Sequence, residues 1–151
     1  MPIDANLWKQ AKQNETVMQG AMPHVATIIG QVTMLVKSLH DYDNKIKAAA
    51  GKPNEGALKA AGKKELASLV GNFTKWPATS GFADKTIHTA GDWIQKVTKA
   101  AQAAKDKNAE TWAAGAGKGV LASAAGLAQA KAAIAKFTPD YNAFKNNKNF
   151  H

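Results

Sequence analysis

The run Gly115-Ala116-Gly117-Lys118-Gly119 has the residue types that cradle a phosphate on backbone amides, with a lysine to neutralise it. A phosphate loop needs glycine where Trp112 stands and Ser/Thr where Gly119 stands, directly after a strand, and the run meets none of these conditions. His88 and Asp92 lie one helical turn apart and could offer two metal ligands, but the pair reads as an exposed polar contact. His24 and His40 do not share a face, and His151 is terminal. Met1, Met18, Met22 and Met34 fit core filling around a helix junction better than thioether ligation. Glu65 sits among Leu66, Leu69 and lysines, where apolar surroundings would raise a general acid; the competing role is a surface partner of Lys64 or Lys59. Ser38, Ser68, Ser80 and Ser123 occupy no glycine-framed elbow. These residues imply no enzyme site, no metal, no cofactor and no small-molecule substrate.

Charge carries more information. The chain has twenty lysines and eleven acidic residues, a formal charge of +9, and neither arginine nor cysteine. Arginine's planar fork is the usual instrument for bidentate phosphate and guanine recognition, while lysine is a hydrated point charge. Specific nucleic-acid recognition is therefore disfavoured, and the lysines read as a coat that adheres to acidic surfaces. Lack of cysteine excludes disulfides, thiolate nucleophiles and cysteine-ligated zinc. The start, Met1 to Trp8, has no basic and apolar leader pattern, and no run of about twenty apolar residues appears, so residence in the cytoplasm or export by a signal-less route is expected.

Helical periodicity must position all of these residues. A first helix is expected from an Asp4 cap to about Met18, interrupted at Gly20 and Pro23. A second runs from His24 to Ala50 on a wide stripe of Val25, Ile28, Ile29, Val32, Leu35, Val36, Leu39, Tyr42 and Ile46. After a loop at 51–56 a third spans Ala57 to Phe73, with a turn at 76–81 capped by Thr79 or Ser80. The fourth, Phe82 to Lys107, repeats Ala83, Ile87, Ala90, Ile94, Val97, Ala101 and Ala104 in alternating steps of four and three, a coiled-coil-like seam built largely from alanine. Within it, Thr98 to Thr111 resembles the eleven-residue repeat of late-embryogenesis-abundant desiccation proteins. Those proteins repeat the unit many times and avoid large apolar residues. Here it occurs once, beside Trp93 and Trp112. The last helix, Asn108 to Phe137, begins at an Asn108 cap and ends at Thr138-Pro139.

The expected fold is therefore all-α, a compact bundle of four to five mostly antiparallel helices with Ala/Gly-rich close-packed seams. Residues 1–139 form a single domain in this reading, and 140–151 a flexible basic and aromatic tail. Glycine costs a helix about 1 kcal/mol relative to alanine, so the stripe Gly115, Gly119 and Gly126, beside Trp112, calls for close approach by a neighbouring helix. Those four residues are the interface candidates. Tyr141, Phe144, Phe150, Lys145 and Lys148 are the docking candidates of the tail. Function is expected through association, with a protein partner, a second copy or an anionic lipid or polymer surface. One alternative is a membrane-active toxin or effector that releases the small-residue helix 112–137 into a bilayer. Another is nonspecific binding to nucleic acid.

Overall fold

Pro23, Pro77 and Pro139 do not end the helices that contain them. The computed structural model, which describes residues 1–151, has three long helices: α1 Ala5–Ala48, α2 Glu55–Ala104 and α3 Lys107–Asn146, followed by a 3₁₀ turn Lys148–Phe150. Three helices thus replace the four to five expected. An interior proline costs about 3 kcal/mol because it removes one backbone bond and crowds the preceding turn. All three prolines face solvent. The flanking turns are buried, as Met18, Ala21, Val25 and Ile28 are around Pro23, and that burial holds the helix together across the defect. Trp76, expected at a turn, is buried in α2 immediately before Pro77. Thr74 and Thr138 hydroxyls donate to the carbonyls of Val70 and Ile134 at 2.9 and 2.8 Å, tying the turns around the second and third prolines.

Two compact units divide the chain. Unit 1 comprises Met1–Val25 with Ala78–Gln129, and unit 2 comprises Ala26–Pro77 with Ala130–His151. Every helix contributes a segment to each. Residues 140–151 group with 26–77 and 130–139 in unit 2.

In unit 1 the core is a seam of small residues: Ala11 and Ala21 of α1, Ala83, Ala90 and Ala101 of α2, and Ala109, Ala113 and Ala116 of α3 are all buried. Asp4 caps α1, its Oδ2 accepting the Leu7 amide at 3.1 Å. At the α2–α3 turn the amides of Asp106 and Lys105 donate to the carbonyls of Ala101 and Gln102 at 2.9 and 3.3 Å, a Schellman pair. Lys105 takes the left-handed position with φ 55°, normally glycine's place, at a cost of about 1 kcal/mol. Asp106, rather than the expected Asn108, caps α3 by accepting the Ala109 amide at 3.2 Å. The same carboxylate accepts the Ile3 amide at 3.1 Å, and the Met1 ammonium donates to the Ala104 carbonyl at 3.2 Å. The amides of Ala109 and Ile3, in that order, hold the Asp106 carboxyl below its ordinary range against a smaller opposing effect of burial.

In unit 2 larger side chains fill the core, with Leu39, Ile46, Leu69, Trp76, Phe144 and Phe150 among them. The last turn of α3 and the 3₁₀ turn pack here for a specific reason. Asn147 and Asn149 side-chain amides both donate to Asp43 Oδ1 at 2.9 Å, while Lys47 pairs with Oδ2 at 2.9 Å. Burial raises the Asp43 pKa, but the hydrogen bonds from Lys47, Asn149 and Asn147 together outweigh it and leave the carboxyl below its ordinary range. Phe150 fills a notch at Gly62, where a Cβ would stand 2.7 Å from the ring. Only glycine leaves room for that ring.

Candidate functional site

No nucleophile–base pair emerges from the residues that suggested chemistry. His88 Nε2 lies 3.9 Å from Asp84, not beside Asp92, and both groups are exposed. His40 bonds Asp140 at 2.9 Å and meets the Phe144 ring edge-on at 4.8 Å. Glu65 lines a groove of about 490 Å³ with Met34, Leu35, Ser38, Ser68 and Asn72. Its expected partner Lys59 pairs instead with Glu55 at 3.1 Å. The Ser68 hydroxyl and the Asn72 amide in that groove donate to helix carbonyls of Lys64 and Ser68. No group of three or more histidine, aspartate or glutamate side chains converges. No helix is long and apolar enough to cross a membrane.

The four interface candidates separate in the structure. Trp112 is half-buried against Trp8 of α1, with ring centroids 5.3 Å apart and the Trp8 face also taken by Lys12 at 4.2 Å. Gly126 is covered within unit 1, since a Cβ there would stand 3.3 Å from the Met22 methyl. Gly115 and Gly119, and Gly117 between them, have nothing within 4 Å at that position. Close approach by a helix of the same chain is therefore not what these three glycines serve.

Next to the Gly115–Gly119 stripe, further round its circumference, α3 presents a bare face. Ala114, Lys118, Leu121, Ala125 and Ala128 follow one another at alternating steps of four and three, and all are exposed. Leu121 is 72 % exposed. Beside it runs a groove of about 350 Å³ between α2 and α3, lined by Gly91, Gln95, Thr98, Gly117, Val120 and Leu121. Leu121 and this second stripe were missed because attention went to the glycines. The same four-three rhythm that marked the α2 seam would have found them.

The tail candidates also divide. Phe144 and Phe150 are only 3 % and 2 % exposed, so neither is available for docking. Tyr141 stacks on Phe73 with centroids 4.0 Å apart and planes 3° from parallel. Phe144 and Phe150 are core and Tyr141 is half-buried, because the Asp43 bonds and the Gly62 notch hold the end of the chain in unit 2. Lys145 and Lys148 remain exposed.

Charge is unevenly divided. Unit 1 holds eight lysines and six acids, a net of +2, and unit 2 holds twelve lysines and five acids, a net of +7. At the α1–α2 loop of unit 2, Lys45, Ala48, Ala49, Lys52, Asn54 and Leu58 enclose a shallow cup of about 250 Å³. A chemically different cavity, of about 640 Å³, opens in unit 1 between the N-terminal segment and the α2–α3 turn, with Ile3, Trp8, Lys105 and Lys107 on its walls. Against known protein families, curated proteins and solved structures, the chain matches none.

Proposed function

We propose that this protein works by association, pairing the bare face of α3 in unit 1 with another helix, most directly α3 of a second copy. One observation carries the reading: Gly115 and Gly119 lie one turn apart on one face of α3, with open space over both. Gly115, Gly117 and Gly119 together cost α3 about 3 kcal/mol relative to alanine, and nothing within unit 1 uses the room they leave. A second helix brought close to that backbone would use it. Leu121, on the neighbouring exposed stripe, would add about 2 kcal/mol if a partner also covers it. Electrostatics favour this unit for self-association, because copies meeting through a net charge of +2 repel far less than through +7. Lys118, the one charge from Trp112 to Ala128, has a long stem that lies along such a face while its ammonium reaches water.

Light scattering on a sizing column, at low salt and at about 0.5 M salt, tests this, since the higher salt screens exposed charges but leaves an apolar seam intact. The wild-type chain is expected as a defined oligomer in both. Gly115→Leu with Gly119→Leu is expected to be monomeric yet melt no lower, because both side chains enter open space. A wild-type monomer at both salts eliminates the second copy as the occupant.

A further inference from the structure

We infer that the loop end of unit 2 is a docking surface for an anionic lipid bilayer, with a headgroup phosphate seated between Lys45 and Lys52. Within unit 2 the last turns of α1, the loop after it, the first turns of α2 and the end of α3 come together. The Asn147–Asp43 bond and the seat of Phe150 against Gly62 and Ile46 establish that gathering. Lys45 and Lys47 come from α1, Lys52 from the loop, Lys59 and Lys63 from α2, and Lys145 and Lys148 from the end of the chain. Two acids nearby are already engaged, Asp43 by Lys47 at 2.9 Å and Glu55 by Lys59 at 3.1 Å. The remaining five lysines stand exposed with no carboxylate partner.

The cup gives this charge a shape. Two ammonium groups and the Asn54 amide offer donors suited to phosphate oxygens, while Ala48, Ala49 and Leu58 supply an apolar floor for the glycerol carbons behind a headgroup. Nucleic acid fits less well. Bases are held by free aromatic faces, and here Phe144 and Phe150 are buried and Tyr141 is stacked on Phe73. The forked guanidinium that reads phosphate and base edges is absent from the whole chain. None of the large exposed apolar side chains, Met1, Val17, Met34, Phe82 and Leu121, lies on this loop or on the turns beside it, so the contact is peripheral and salt-sensitive rather than inserted. This surface is independent of the α3 face in unit 1.

Flotation of the full chain with vesicles tests it, comparing phosphatidylcholine alone with phosphatidylcholine carrying about 30 mol % phosphatidylserine. Retention is expected on the anionic vesicles only. Each lysine near an anionic surface is worth about fivefold, so Lys45→Gln with Lys52→Gln should weaken partitioning about twenty-five-fold. Lys85→Gln with Lys99→Gln removes the same charge from unit 1 and should change it by less than about twofold. Both pairs replace exposed side chains, and matching melting curves establish that each variant is folded. No retention on anionic vesicles at low ionic strength overturns the proposal. So does an equal loss in both variants, which would make net charge rather than this end responsible. Release from the vesicles by a short DNA duplex that binds wild type but not the Lys45/Lys52 variant overturns it in favour of nucleic acid.

Discussion

Eight of the fourteen buried apolar side chains in unit 1 are alanine, whereas only two of thirteen in unit 2 are, and unit 2 alone buries Trp76, Phe144 and Phe150. The same three helices thus solve the packing problem twice. Alanine seams let backbones approach, because interaxial distance follows the side chains at the contact. Unit 1 gains stability from many small contacts and leaves its large apolar side chains outside, with Met1, Val17, Phe82 and Leu121 exposed. Unit 2 gains it from a few large side chains fitted into shaped notches, Gly62 under Phe150 being the clearest. The units also divide the surface, with a nearly neutral, small-residue face on one and most of the positive charge on the other.

That contrast predicts opposite sensitivities. The largest effect is expected from Leu69→Ala in unit 2, where the side chain is fully buried and its loss leaves a cavity. Stability should fall by about 3 kcal/mol, lowering the melting temperature by about 10 °C. Native-state hydrogen exchange should place the loss of protection mainly in 26–77 and 130–151. A drop under about 1 kcal/mol would mean that the surrounding residues collapse onto the gap, and unit 2 would not be the shape-fitted core described here.

The converse substitution belongs in unit 1. Ala90 is fully buried, and its neighbour Gly91 already leaves Val120 Cγ1 only 3.7 Å from where a Cβ would stand. Ala90→Leu should therefore overpack the seam and cost about 2 kcal/mol, although the same change on an exposed helix face would be nearly neutral. Thermal unfolding measures it directly. A variant as stable as wild type would show that the alanine seam has slack, and the distinction between the two cores would fail.

How much of this was legible in the chain follows from the range of each signal. Of the α1 stripe, Val25, Ile28, Val32, Val36, Leu39 and Ile46 are buried and Ile29, Leu35 and Tyr42 half-buried, and of the α2 seam all but the half-buried Ala104 are buried, because periodicity within one helix is a local property. The prolines misled because their local cost is overridden by the packing of turns on either side, which no local pattern records. The end of the chain misled for a related reason. Asn147 and Asn149 look like the composition of a loose terminus, yet their partner Asp43 lies more than a hundred residues away. Helix number then decided the candidate surface. With four antiparallel helices the last would end beside the start of the first; with three it ends beside the close of α1, and Lys145 and Lys148 join Lys45 and Lys47 in unit 2. The lysines were visible as composition, and only topology made them a surface.

The smallest expected effect is the response to acid, and it sharpens the comparison because each unit fastens a chain end with one aspartate. Asp106 holds Ile3 in unit 1, and Asp43 holds Asn147 and Asn149 in unit 2. Both carboxyls sit below their ordinary range when folded. Each therefore contributes stability that is fully present above the unfolded value of about 3.9 and is lost as pH falls through the lower folded value. Asp106→Asn keeps an oxygen to cap α3 but gives up the charge beside the Met1 ammonium. Its melting temperature should lie slightly below wild type at pH 7, and the two curves should converge as pH falls through the lowered folded value, beneath which the wild-type carboxyl is also neutral. Asp43→Asn should show the same convergence with a wider gap at pH 7, because Asp43 is more shielded from water and carries the Lys47 ion pair as well. If either gap persists unchanged into acid, shape at that carboxylate rather than its charge fastens the chain end, and the two units differ in their cores but not in their locks.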